Sequence, residues 1–93
     1  MSNVTIKVTR KCIEDGRPRS GNACPIALAL RSAGCITATV SAHEANFYTR
    51  GSGHLWRRLP ARAKGFVRNF DAGLPVKPFS FVLKGVKMSK EKK

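Results

Sequence analysis

The chain has 93 residues, with eighteen Lys plus Arg against five Asp plus Glu and a formal charge of +13. That length suits one domain and excludes two, while a hydrophobic fraction of 42% excludes a purely disordered basic tail. The longest apolar run, residues 26–30, falls far short of the roughly 18 residues that span a bilayer.

No charged start leads into a long apolar stretch, so no signal peptide and no membrane partner are expected. The expected location is the cytoplasm.

Val4, Ile6 and Val8 alternate with Thr5, Lys7 and Thr9, a period of two that predicts a strand with one buried face. Residues 11–23 carry Asp15-Gly16, Pro18 and Ser20-Gly21-Asn22, turn signals that predict a long loop with Arg17 and Arg19 at its tip. Residues 24–31 predict a short, buried helix. Pro25 suits its first position, where the missing N–H costs nothing, and Gly34 stops it. Arg31 in the last turn complements the carbonyl end.

Residues 36–41 alternate again, with residues 45–50 as a partner strand placing Phe47 and Tyr48 on opposite faces. His43-Glu44 is the expected turn between them. Gly51-Ser52-Gly53 marks a flexible break, and residues 54–59 read equally as short strand or loop. The second helix is the clearest element, opened by Pro60 and followed by Gly73. Ala63, Phe66, Val67 and Phe70 recur at i, i+3, i+4 and i+7, an apolar stripe facing a core. Lys64 and Arg68 pair at i, i+4 off that stripe, and Asp71 is placed to neutralise Arg68 in part. Phe79, Phe81 and Leu83 share one face of a last strand that begins after Pro78.

From Lys84 onward five lysines and one glutamate leave little to bury. Residues 1–83 are therefore expected as a single compact domain and residues 84–93 as a flexible basic tail. The order strand, helix, strand, strand, helix, strand predicts an α+β fold, a small, mainly antiparallel sheet with two helices on one face.

Three cysteines, Cys12, Cys24 and Cys35, are an odd count that argues against a disulfide framework and fits a reducing compartment. No Cys-x-x-Cys or close Cys/His spacing exists, and His43 and His54 stand apart, so no metal site is expected. Small buried side chains are the expected role of the cysteines. The five acids form no catalytic pair, and Gly51-Ser52-Gly53 lacks the spacing and lysine of a phosphate loop. No catalytic residues, cofactor or small-molecule substrate are expected.

Binding is better supported. A charge of this size attracts polyanions, and between residues 50 and 68 lie Arg50, Arg57, Arg58, Arg62, Lys64 and Arg68 with no acid. Arginine forks grip phosphates, and aromatic faces stack on unpaired bases. Tyr48 and Trp56 fall inside or beside this stretch, although most tryptophans are largely buried and core packing is the expected role of Trp56 itself. Nucleic-acid phosphates are the expected partner of Arg50, Arg57, Arg58, Arg62, Lys64 and Arg68, with Trp56, Arg17 and Arg19 as further candidates.

Several segments, Cys24-Pro25-Ile26-Ala27-Leu28-Ala29-Leu30, Leu59-Pro60, Phe66-Val67-Arg68-Asn69-Phe70-Asp71-Ala72-Gly73 and Pro78-Phe79-Ser80-Phe81, carry a resemblance. Across residues 4–83 the chain resembles a group of small phage-encoded anti-CRISPR proteins directed at the type I-F CRISPR surveillance complex. The resemblance implies a non-enzymatic inhibitor in the host-cell cytoplasm. Such an inhibitor would contact the protein subunits and guide RNA of the complex and stop target DNA from pairing with the guide. Sequence reading there is done by base pairing, so occupancy of the hybridisation path suffices. The matching residues are core and cap positions, so they assign no contact residues. The alternative is a basic phage DNA- or RNA-binding regulator or accessory protein using the same basic face.

Overall fold

A computed structural model describes residues 3–86. Its elements run β1 (Asn3–Val8), α1 (Arg10–Asp15), α2 (Pro25–Ala33), β2 (Thr37–Val40), β3 (Glu44–Thr49), β4 (Gly53–Arg58), α3 (Ala61–Asp71) and β5 (Phe79–Lys84). The α+β class holds, but the strands form two antiparallel sheets, β1-β5 and β2-β3-β4, with three helices.

The alternating patterns set both registers. Val4, Ile6 and Val8 stand opposite Leu83, Phe81 and Phe79, so the two apolar faces coincide. In the other sheet Ala38 faces Phe47 and Val40 faces Ala45, and these four side chains are buried. Helix α2 packs against both β1 and β2 and joins the sheets. It buries Pro25, Ile26, Ala27, Ala29 and Leu30. Its ends follow the expected chemistry: the Cys24 sulfur accepts the Ala27 N–H at 3.4 Å, and Arg31 lies in the last turn before Gly34. Helix α3 lays Ala63, Phe66 and Val67 into the core, with the Phe66 and Phe79 rings 4.9 Å apart.

Four local expectations are corrected. Within the expected loop, residues 10–15 form α1, because the Thr9 hydroxyl accepts the Cys12 N–H and Lys11 pairs with Asp15 at 3.3 Å. Residues 53–58 form β4, which continues the hairpin. Gly53 takes φ +77°, so the glycine-rich break is a hairpin turn. The turn before β3 is residues 41–43 and not His43-Glu44. The Ser41 hydroxyl accepts the N–H groups of His43 and Glu44, and Glu44 itself is paired with Arg58. Asp71 accepts the backbone N–H of Arg19 at 2.8 Å, tying the long loop to the end of α3.

Between the two sheets, β4 meets the end of β5 through a side chain and not through a backbone ladder. The Arg57 guanidinium donates to the carbonyls of Lys84 and Gly85, both at 3.1 Å. The folded part thus runs past residue 83: Lys84 closes β5, and Val86 is 1% exposed. Of the expected flexible tail, residues 87–93 lie outside the described residues.

Candidate nucleic-acid interface

Register and parity place the candidate residues on separate surfaces. Along β2, β3 and β4 the odd-even alternation sends Ala38, Val40, Ala45, Phe47 and Leu55 inward. It sends Thr37, Thr39, Asn46, Tyr48, His54, Trp56 and Arg58 outward. Tyr48 lies between Thr37 and His54 in one cross-strand row, and Asn46 lies between Thr39 and Trp56 in the next. Tyr48 and Trp56 are therefore diagonal neighbours, a separation of roughly 7–8 Å in an antiparallel pair.

Trp56 is 54% exposed and Tyr48 43% exposed. The expected core role of Trp56 is thus overturned by strand parity: its neighbours Leu55 and Arg57 hold the inward positions. The outer face ends in the Glu44–Arg58 pair on one side and in the turn carrying exposed Arg50 on the other.

The other basic residues divide into tethers and free charges. Arg57 is engaged on backbone, since it also donates to the Trp56 carbonyl at 2.8 Å. Arg62 donates to the Ser80 carbonyl at 3.4 Å, holding α3 against β5. Lys64 and Arg68 line an open groove of about 430 Å³ with His43, Val67 and Asp71. A smaller groove shares Val67 and Asp71 with it and brings in Arg19. Arg19 has φ +56°, an uncommon left-handed setting that directs its N–H at Asp71. Arg17 is exposed in the same loop, where its N–H donates to the Ala23 carbonyl.

The structure thus brings Trp56 and Arg58 together with Tyr48, with Arg50 at one end of the face. It gathers Arg19, Lys64 and Arg68 elsewhere and turns Arg57 and Arg62 toward β5. Sequence reasoning passed over His43, Asn46 and His54, although the period of two already placed His54 on the side of Trp56. The three thiols are free and buried. Burial raises the Cys24 thiol above its usual value, against hydrogen bonds from Ala27 and Ile26 that lower it, and pushes Cys35 up to about 11. Neutral, shielded thiols of this kind are packing groups. Among the described residues, no group of three or more His, Cys, Asp or Glu side chains is placed to hold a metal ion. No described helix is long and apolar enough to cross a membrane.

Together these features define a small basic α+β domain with an aromatic-bearing sheet face. No protein-family model, curated protein or solved structure matches the chain.

Proposed function

We propose that the protein is a non-enzymatic inhibitor acting in the host-cell cytoplasm. It binds the type I-F CRISPR surveillance complex, protein subunits and guide RNA together, and blocks hybridisation of target DNA. The observation that carries the reading is that Arg50, Arg58, Lys64 and Arg68, from a stretch of sequence with no carboxylate, reach solvent on two surfaces, the outer sheet face and the groove beside α3. Clustered like charge destabilises a free protein and is offset when a polyanion binds it. A guide RNA displayed along a protein scaffold offers such a polyanion, and the partner itself comes from the resemblance.

Size-exclusion co-elution with the purified complex at about 150 mM salt tests the proposal. The expected result is a stable complex that no longer takes up target DNA, weakened by Arg58→Glu combined with Arg68→Glu. Absence of co-elution, together with tight binding to free duplex DNA, overturns it in favour of a regulator.

A further inference from the structure

We propose that the outer face of the β2-β3-β4 sheet is a stacking platform for unpaired bases of single-stranded RNA, with Tyr48 and Trp56 as the two stacking residues. The inference deepens the functional reading, on which it rests, by naming the chemistry of the ligand. Two large rings on one open sheet face, in diagonal register, are an arrangement that burial does not explain. Aromatic side chains bring most of their stabilisation when covered, so leaving both of them open on one face points to a ligand that covers them.

The rest of the face selects the occupant. Besides the two rings, the three strands present Thr37, Thr39, Asn46, His54 and Arg58, with no aliphatic side chain among them. Tyr, Trp and Arg are enriched in protein interfaces as well, but the centre of such an interface is more apolar than its surroundings, whereas here polar Thr37, Thr39, Asn46 and His54 surround the rings. Nucleic acid is met by rings that stack on bases and cations that follow the backbone. Here Arg58 stands at one end of the face and Arg50 at the other, so the rings lie between two positive charges. The one acid at the edge, Glu44, lies opposite Arg58 and is half-buried.

The geometry further requires bases that are not paired. A sheet face offers its rings only to bases splayed out of a helix, and paired bases in an A-form duplex expose no such surface. The exposed hydroxyls of Thr37 and Thr39 and the Asn46 amide flank both rings. They supply donors and acceptors suited to a ribose 2′-hydroxyl, the group that separates RNA from DNA. On a guide RNA, covering bases in this way obstructs pairing more directly than a phosphate contact would.

Trp56 is the single tryptophan of the chain, so its emission reports on the face alone. The full-length protein is titrated with a single-stranded RNA of about 12 nucleotides, long enough to cross one such face. Parallel titrations use the same RNA as a duplex and the same sequence as single-stranded DNA. The expected result is saturable quenching by the single-stranded RNA and weaker binding of the other two. Read by the anisotropy of an end-labelled RNA, since Trp56 variants lack the emitting residue, Trp56→Ala and Tyr48→Ala should each weaken RNA binding roughly tenfold or more, whereas Trp56→Phe keeps most of it. Both side chains are exposed, so the variants should retain the wild-type circular dichroism spectrum.

Unaltered emission on binding, equal affinity for duplex RNA, or full affinity in Trp56→Ala overturns the platform. Equal affinity for the DNA strand overturns its assignment to RNA. Co-elution with the surveillance complex, combined with unaltered emission, would remove this inference and leave the functional reading standing.

Discussion

Single side chains in this protein take roles that residue type alone does not assign. Arg57 and Arg58 are adjacent and identical in chemistry, yet one reaches two carbonyls at the end of β5 and the other faces solvent. Trp56, a residue type highly buried on average, is half exposed because its position in the strand faces outward. Cys35 shows a third case, in which burial holds the thiol neutral up to about 11 against an ordinary value of 9.0. The sign of its contribution follows. Below pH 9 the thiol is neutral in both folded and unfolded chains, and its burial contributes fully. Between about 9 and about 11 the unfolded chain gains a thiolate that the folded one refuses, so the contribution is lost as pH rises. A variant without the thiol isolates this contribution. Cys35→Ala should be less stable than wild type by about 1 kcal/mol at pH 7, through loss of a small buried group. Urea midpoints of the two proteins should then converge above pH 9 and cross before pH 11, because ionisation of the thiol in the unfolded chain outweighs that gap. A gap that stays constant across that range contradicts the assignment.

At the scale of elements, Arg57 does work that a ladder hydrogen bond would do in a single continuous sheet. Its guanidinium, together with the Arg62 contact to Ser80, holds β5 to β4 and α3. Arg57→Ala should therefore destabilise the fold by about 1.5 kcal/mol, the low end of the range for hydrogen bonds of charged groups, because these bonds are exposed. Arg57→Lys should not restore it, since an ammonium lacks the planar fork. Arg58→Ala should stay within about 0.5 kcal/mol of wild type while weakening RNA binding. Thermal melts of the three variants decide the point, and equal effects at the two positions would refute it. These elements also show how far the chain could be read without coordinates. The stripes on β1, β5, α2 and α3 were legible because each has a regular period and a clear stop, and Gly73 is a good instance. It takes φ +80°, and it and Leu74 donate back to the Phe70 and Asn69 carbonyls, as the residues after a helix end should. Helix α1 was hidden because its six residues lie beside turn signals that outweigh a single Thr9 cap. The junction between the two sheets was hidden because it depends on where one side chain donates. For the candidate site, the basic run was visible at once, but its separation into tethers and free charges needed the register of β4 and the placement of β5.

Over the whole molecule, the excess of positive charge acts on stability and on binding with opposite signs. The radius of gyration is 12.4 Å, close to the Debye length of about 10 Å at 0.1 M salt. Neighbouring cations on one face lie within that length and still repel one another, whereas those on opposite sides, 19 Å or more apart, are largely screened. Shortening the screening length weakens that repulsion in the compact state more than in the expanded unfolded chain, where charges are farther apart. Raising sodium chloride from about 50 to about 500 mM, which shortens the screening length roughly threefold, should raise the melting temperature of the free protein. The same change should weaken binding to single-stranded RNA. Two phosphate contacts, through Arg50 and Arg58 at the ends of the platform, predict a slope of about −1.4 in log affinity against log salt, at about −0.7 per phosphate. Replacing Arg50 or Arg58 by alanine should flatten that slope by about 0.7 each, whereas Trp56→Ala should lower the affinity and leave the slope unchanged, because stacking releases no counterion. A melting temperature that falls with added salt would show that the charge is locally compensated in the free protein. A slope near zero would show that single-stranded RNA is not recognised through phosphate.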